Sequence, residues 1–301
     1  MINKRFYQKN ENFDKLYKQI YTETHKELFD SLKPVRRKIL ILIIIFLIIN
    51  ISVPSFSTIF LSFLCIFLPI LLLLKNNRKE YRFLYKTKVI KPFLQQYDSS
   101  LNYEPDKGIP STVYNEAFFE NYKIYSSKDF IHGKLNGNYF QMAKIDTENK
   151  YIHSNNSVQY VSIFSGFFIV SPLRNNFNGI IKIRTNKNTF KIKNKLEMDS
   201  QEFEKYFDVI TTNKIQALQV LTSELMNKLI NFTTNYNIKL ELTIKNNRIF
   251  IRFHNNTFFE PPFFSIFSVI KYNLLLKDYN FINFILDISK ELIKATTETK
   301  I

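Results

Sequence analysis

The chain has 301 residues, a formal net charge of +16 at neutral pH, a single cysteine and no tryptophan. This length allows one or two domains, and the lone Cys65 excludes both a disulfide framework and a thiolate metal site. The charge favours an anionic partner, either nucleic acid or an anionic lipid surface. A lysine-rich composition typical of an AT-rich coding sequence explains part of that charge.

Apolar residues recur at three- and four-residue steps between Phe13 and Leu32, which is the spacing of one helix face. They predict an amphipathic helix over Asn12–Leu32 that ends before Pro34, so that residues 1–34 form an N-terminal element. Three roles for this helix remain open: packing on the protein's own soluble domain, lying on a membrane surface, or docking a protein partner.

The apolar run from Ile39 to Leu74 contains no Asp, Glu, Lys, Arg or His. At about 36 residues it is too long for one membrane span of roughly 20 residues and suits two short spans. The run therefore predicts a transmembrane hairpin over residues 35–75, with spans at about 37–53 and 57–74 and a turn near Pro54.

Basic residues flank this hairpin on both sides, and its turn carries no charge, so the positive-inside rule places both ends in the cytoplasm. The sequence thus predicts a multi-pass inner-membrane protein with both termini cytoplasmic. A lipid bilayer with anionic headgroups is then an expected partner, and the flanks supply candidate contacts to it. These candidates are Arg36, Arg37, Lys38, Lys75, Arg78, Lys79 and Arg82.

Residues 76–110 predict a juxtamembrane helix, interrupted near Pro92, followed by a turn-rich linker. In residues 111–301 strand and helix patterns are mixed, and hairpins outnumber crossovers. The predicted fold class is therefore α+β: a two-helix transmembrane hairpin followed by a cytoplasmic domain with a mostly antiparallel β-sheet and packed helices. Strands are predicted at Tyr122–Leu135, Tyr139–Asp146, Val158–Val170, Gly179–Arg184, Phe207–Thr211, Ile238–Lys245 and Arg248–His254.

Helices complete this predicted domain. Asp199 and Glu202 have the spacing of a capping box, which begins a short helix over Ser200–Tyr206. Ser165-Gly166 predicts a bend or bulge in its strand. The remaining helices are predicted at Asn213–Leu221, Ser223–Asn235 and Leu274–Thr296.

Several strings in this part of the chain carry a family resemblance. They are KTKVIKPFLQQY, LNYEPDKGI, FIHGKLNGNYFQMAKID, IFSGFFIV, FNGIIKIRT, EFEKYFDVITTNKIQALQVLTSELMNKLINF, NNRIFIRF and FFEP, in that order between Lys86 and Pro261. The sequence resembles the bacterial DUF3137 family, which implies a membrane protein of uncharacterised function. The family has no established catalytic residues, so the resemblance transfers none.

No phosphate-binding loop, dinucleotide fingerprint, zinc-protease motif or nucleophile elbow occurs in the sequence. Glu202 and Glu204 diverge on a helix, which disfavours a catalytic pair. His132 and His153 lack a third ligand or a placed carboxylate. We therefore assign no catalytic, cofactor-binding or metal-binding residue, and the absence of enzymatic activity is the favoured interpretation.

Two further surfaces have open interpretations. Lys182, Arg184, Lys187, Lys191, Lys193 and Lys195 form a basic stretch, but a solvated face is favoured over nucleic-acid binding because no recognisable module accompanies it. The aromatic cluster at Phe258–Phe267 is either core or a docking surface for a partner.

The predicted function is a membrane-tethered cytoplasmic binding or scaffolding module without catalytic activity. The alternative is an enzyme that acts at the membrane on a lipid-linked or small anionic substrate. Its site would lie between the sheet and the helix at Ser223–Asn235.

Overall fold

The computed structural model describes residues 11–52, 55–76, 79–118, 120–135, 137–152, 157–173, 177–185, 195–255, 257–262 and 268–298. It forms two compact units. The helical unit comprises Lys9–Phe93 and Phe259–Asp278, and the sheet unit comprises Leu94–Phe258 and Tyr279–Ile301 as far as these are described. The predicted domain boundaries, 1–34, 35–75, 76–110 and 111–301, stay predictions.

The helices of the described residues are α1 (Glu11–Ser31), α2 (Lys33–Ser52), α3 (Phe56–Asn76), α4 (Lys79–Tyr85), α5 (Lys91–Tyr97), α6 (Ser111–Ala117), α7 (Gln201–Tyr206), α8 (Lys214–Val220), α9 (Ser223–Tyr236) and α10 (Tyr272–Glu298). A π-helical turn over Lys86–Ile90 joins α4 to α5.

The strands form one antiparallel sheet in the order β1-β2-β3-β4-β9-β8-β5-β7-β6. They are β1 (Asn102–Glu104), β2 (Ile124–Leu135), β3 (Asn138–Ile152), β4 (Val158–Pro172), β5 (Ile181–Thr185), β6 (Lys195–Leu196), β7 (Phe207–Thr211), β8 (Leu240–Lys245) and β9 (Arg248–Phe253). An α+β architecture with a large antiparallel sheet is therefore present, as the sequence predicts.

The transmembrane part of the predicted fold is wrong. Among the helices of the described residues, none is both long enough and apolar enough to cross a membrane. Helix α2 begins at Lys33, so the basic residues of the first flank lie inside it. The charge-free remainder, Ile39–Ser52, spans about 21 Å, less than a hydrocarbon core of about 30 Å. The multi-pass inner-membrane placement with both termini cytoplasmic is wrong for the same reason.

Within the helical unit, α2 and α3 pack side by side and line an open apolar pocket of about 180 Å³. The Asn50 side-chain amide donates to the Ser62 hydroxyl across this pair at 3.0 Å. Helix α1 forms where an amphipathic helix is predicted and buries Phe13, Leu16, Ile20 and Leu28, and the ring of Phe13 lies 5.2 Å from that of Tyr272. At the π-helical turn the Lys91 N–H donates to the Lys86 carbonyl, directly before Pro92.

Different helices cover the two faces of the sheet. On one face α9 and α10 supply aromatic rings: Phe232 lies 5.0 Å from Phe253, and Phe281 lies 5.9 Å from Phe167. On the opposite face the short helix α6 packs over β3, β4 and β9. Its cluster comprises Ile109, Tyr114, Ala117, Phe118, Ala143, Ile145, Phe164, Phe168, Val170 and Phe250. This second layer is smaller than the layer formed by α9 and α10.

Each strand and helix predicted in the sheet unit is present, but β3 runs to Ile152, six residues past its predicted end. The sequence did not predict β1, β6 or α6. Two local details are also wrong. Ser200, rather than Asp199, is the N-cap of α7, and its hydroxyl accepts from the Phe203 N–H at 3.2 Å. The irregularity in β4 falls at Ile163, because Thr147 opposes Phe164 while Glu148 opposes Ser162. Gly166 is needed for another reason, since a Cβ there would lie 1.8 Å from the Phe253 carbonyl oxygen.

Candidate functional site

A cavity of about 300 Å³ opens between the segment that follows α6 and the polar side of β5, β8 and β9. We call it the charged cavity. It is lined by Ala117, Phe118, Glu120, Lys182, Ile183, Arg184, Ile210, Glu241, Leu242, Thr243 and Arg252. Its lining thus combines three cationic side chains with two carboxylates.

Strand alternation explains why charged side chains meet here. In β8, Leu240 and Leu242 point to the face covered by α9 and α10, so Glu241 and Thr243 point to the cavity side. The pairing register then places Asp208, Arg184, Glu241 and Arg252 directly opposite one another on β7, β5, β8 and β9. The result is a cross-strand row of alternating sign, which favours pairing over repulsion.

Arg252 is the most completely paired member of this row, with 8% of its side chain exposed. Its Nε and Nη2 donate to Glu241 Oε2 at 3.1 and 2.7 Å, and its Nη1 donates to Glu120 Oε1 at 2.7 Å. Nη1 also donates to the Tyr114 hydroxyl at 2.7 Å. The guanidinium carbon lies 4.3 Å from the ring centroid of Phe118. Arg252 therefore ties the α6 segment to the sheet.

This network controls the protonation of its members. Burial raises the pKa of Glu241, but His254 and Arg252 lower it more, so that the pKa falls to about 2. Burial lowers the pKa of Arg252, while the charges of Glu241 and Glu120 raise it to a net value above its ordinary one. Burial also raises the pKa of Tyr114. At neutral pH Glu241 is therefore ionised, Arg252 is charged and the Tyr114 phenol is neutral.

The other two cations of the cavity are far less engaged. Lys182 is exposed and forms no ion pair or hydrogen bond with any residue that the structure describes. Arg184 lies near one carboxylate, with its Nε 3.8 Å from Asp208 Oδ2, and that nitrogen has no hydrogen-bond partner in the described chain. Asp208 also pairs with Lys195 at 3.0 Å, which shares out its negative charge.

The residues singled out in the sequence do not meet in this cavity, except for part of the basic stretch. Lys182 and Arg184 line it, whereas Lys187, Lys191 and Lys193 fall outside the described residues. Sequence reasoning missed Glu241 and Arg252. Their signal was present, because both are charged residues in the middle of two strands that a short turn joins, which places them close together in the sheet.

Of the carboxylate and histidine candidates, Glu204 and His132 have partners that explain them structurally. Glu204 accepts from the Met198 N–H at 2.9 Å, while Glu202 is exposed. His132 Nε2 lies 3.2 Å from Glu104 Oε1, and His153 falls outside the described residues. In the part of the chain that the structure describes, no three His, Cys, Asp or Glu side chains are grouped as metal ligands.

The candidate lipid contacts belong to the helical unit. Arg36, Arg37 and Lys38 lie on α2, and Lys79 and Arg82 lie on α4. Nothing is described of Arg78 or of the Lys75 side chain. Arg36 stacks on the ring of Phe29 with its guanidinium carbon 3.2 Å from the centroid, and Arg82 Nε lies 3.6 Å from Glu260. Their contact with anionic headgroups stays a prediction.

The structure describes only part of the predicted aromatic cluster Phe258–Phe267. Phe258 and Phe259 are fully buried, and the Phe258 ring stacks on Phe281 at 3.5 Å within the sheet unit. These two residues belong to the core. Phe263, Phe264 and Phe267 fall outside the described residues.

Comparison with known proteins supports the family resemblance. Residues 162–294 match the family model described as "Protein of unknown function (DUF3137)". The match supports the predicted family assignment and does not show that its members are membrane proteins. No curated protein matches the chain.

Among solved structures, the chain is similar to the "crystal structure of the mycobacterial trehalose monomycolate transport factor A, TtfA". The TM-score is 0.33 and the identity 10%, over 63% of this chain and 90% of that chain. A likeness at this level carries no argument about function.

Proposed function

We propose that this chain is a non-catalytic binding module that takes a small anion, a carboxylate or a phosphate, in the charged cavity. The observation that carries the proposal is the contrast between Arg252 and the two cations beside it. Arg252 is buried and fully paired, whereas Lys182 and Arg184 line the same cavity with few partners of their own. An anion between them would receive charge-assisted hydrogen bonds, which are stronger than neutral ones.

The volume and the polar groups suit a ligand of modest size. About 300 Å³ lies at the small end of the range for ligand pockets. Thr243 stands opposite Lys182 on the neighbouring strand and adds a hydroxyl that can donate to an anion. The two cavity carboxylates are turned toward Arg252, so they repel an anion near Lys182 less than free carboxylates would.

The same geometry favours binding over catalysis. A general base works best with a pKa near the operating pH. The pKa of Glu241 is about 2, and Glu120 is held by Arg252 and by the Tyr114 hydroxyl at 2.9 Å. Glu241 is therefore unsuited to accept a proton at neutral pH, and both oxygens of Glu120 already accept hydrogen bonds. The cavity also lies on the sheet face opposite α9, away from the side where an enzyme site was considered.

Isothermal titration of the full chain with inorganic phosphate, and separately with acetate, at constant ionic strength tests this proposal. Lys182→Gln and Arg184→Gln should each weaken phosphate binding by roughly ten- to a hundredfold, because each removes a hydrogen bond to a charged group. Lys205→Gln, an exposed residue of α7, changes the net charge equally and should bind as the parent does.

Two results would contradict the proposal. One is the absence of saturable binding of either anion up to about 10 mM, where the binding free energy is only about 3 kcal/mol. The other is equal weakening by all three substitutions, which would show that the affinity follows net charge rather than the cavity.

A further inference from the structure

The two less engaged cations of the charged cavity lie on the same face of one strand. Lys182 and Arg184 are alternate residues of β5, and same-face neighbours on a strand are about 7 Å apart. Both side chains can therefore reach one tetrahedral anion. Thr243 of β8 and Ile210 of β7 stand directly opposite Lys182 on the two adjacent strands. Lys182 thus has a hydroxyl group on one side and an aliphatic side chain on the other.

The internal ion pairs leave most of this positive charge uncompensated. Asp208 lies 3.8 Å from Arg184 Nε, but it lies closer, at 3.0 Å, to Lys195 Nζ. The two cavity carboxylates contact Arg252. Arg184 Nε is buried and has no hydrogen-bond partner among the described residues. A buried donor of this kind indicates an acceptor that the chain itself does not supply.

We propose that the ligand of the charged cavity is a phosphate monoester in its dianionic form, an inference that rests on the binding function proposed above. Its phosphate oxygens accept from Lys182, Arg184 and the Thr243 hydroxyl, and its organic group lies against Ile210. At neutral pH a phosphate monoester carries a charge of about −1.5 to −2 and presents three strong acceptor oxygens. Charge and oxygens therefore match two cations and three donor groups, whereas a carboxylate has one charge and two oxygens.

The size and the lining of the cavity favour an ester over a free phosphate ion. A volume of about 300 Å³ reaches the range of pockets that hold small organic ligands. Ala117, Phe118 and Ile210 make part of the lining apolar. An organic substituent that covers this part gains affinity from the hydrophobic effect, and an inorganic ion does not.

Isothermal titration of the full chain at pH 8 with matched ligands tests the charge. Methyl phosphate is a dianion at this pH, and dimethyl phosphate is similar in shape but carries a single charge. Methyl phosphate should bind at least about tenfold more tightly, because the monoanion loses charge-assisted hydrogen bonding. Sulfate and methyl sulfate should show the same preference. Equal affinity for the dianions and the monoanions would overturn the proposal.

Arg184→Gln tests whether this preference arises in the cavity. With one of the two cations removed, the ratio of the affinities for methyl phosphate and dimethyl phosphate should fall by about tenfold. Lys205→Gln, an exposed change of equal charge, should keep the ratio of the parent. An unchanged ratio in Arg184→Gln would refute the assignment of the phosphate to Lys182 and Arg184.

Phenyl phosphate tests the organic group. It should bind about tenfold more tightly than inorganic phosphate, because its ring covers apolar lining. Ile210→Ser should reduce this gain and leave the affinity for inorganic phosphate within about twofold, since it removes only apolar surface. No gain for phenyl phosphate, or equal weakening of both ligands by Ile210→Ser, would contradict the ester.

The ligand series also separates this inference from the binding function on which it rests. If none of these anions binds saturably, the binding function fails and the ester assignment fails with it. If acetate and dimethyl phosphate bind as tightly as methyl phosphate, the cavity is an anion site, and only the preference for a phosphate monoester is refuted.

Discussion

The burial of the Asp278 carboxyl group in the helical unit predicts that the stability of the protein falls as the pH rises. Its side chain is fully buried, and Oδ2 accepts from the Phe259 N–H at 3.2 Å. Oδ1 has no hydrogen-bond partner in the described chain, and neither has the buried Tyr85 hydroxyl. Burial raises the pKa of Asp278 to about 8, with Glu260 adding to the effect and Lys277 opposing it. The carboxyl group is therefore protonated in the folded protein at neutral pH.

The raised pKa of Asp278 changes the free energy of unfolding in a definite direction and by a definite amount. In the unfolded chain the same carboxyl ionises near its ordinary pKa of 3.8. Between these two pKa values the unfolded state binds fewer protons than the folded state, so the free energy of unfolding falls as the pH rises from about 4 to about 8. At pH 7 the accumulated loss is roughly 4 kcal/mol, from about three pKa units at 1.36 kcal/mol each.

Asp278→Asn should remove most of this pH dependence. The neutral amide has nearly the same shape and still accepts from the Phe259 N–H. If its NH₂ group stays unpaired, it costs about 1–3 kcal/mol, but at every pH alike. The slope of stability against pH therefore separates the two effects.

The measurement is the thermal midpoint followed by circular dichroism between pH 5 and pH 8. The parent should lose stability across this range, and the variant should lose much less. Glu80→Gln, on the surface of α4, is the matched control and should follow the parent. Parallel curves for the parent and Asp278→Asn would refute the reasoning.

Three further predictions concern the sheet unit. Arg252→Met should lower the free energy of unfolding in urea by about 3–5 kcal/mol, because Glu241 and Glu120 lose their buried partner; a loss below about 1 kcal/mol would contradict the network's role. Glu241 has a lowered pKa of about 2, so its contribution of roughly 3 kcal/mol should disappear as the pH falls from about 4.5 to 2. Acid titration of Glu241→Gln should lack that part of the transition. Gly166→Ala should lower the thermal midpoint through a clash with the Phe253 carbonyl, at about 1–3 kcal/mol; an unchanged midpoint would show that the strands can separate freely.

Local pattern sufficed for most of the sheet unit. The strands at Ile238–Lys245 and Arg248–His254 alternate apolar and polar residues around Asn246-Asn247, and β8 and β9 occupy these positions. Both asparagines have positive φ angles, 51° and 57°, which this residue tolerates in a tight turn. Hydrophobic periodicity and turn-forming residues are properties of a few neighbouring positions. A single sequence was therefore enough to predict these two strands and their turn.

The charged cavity could not be predicted in the same way, because it depends on long-range register. Arg184 meets Glu241 only because β5 pairs with β8, and Glu120 reaches Arg252 from a segment far away in the chain. The transmembrane prediction rested on the length of a charge-free run. That length does not show where a helix begins, and α2 begins early enough to include the basic flank.

The position of helix α6 explains why the cavity lies where it does. Helix α6 ends at Ala117, and it packs over β3, β4 and β9, where the sheet presents Ala143, Phe168 and Phe250. The helix also approaches β8, and Ala117 lines the cavity together with Phe118 and Glu120, which follow it in the chain. Beyond the end of the helix, β8 presents Glu241 and Thr243, and β5 presents Lys182 and Arg184. The cavity thus opens where α6 ends, which is the boundary at which a polar ligand can reach the sheet.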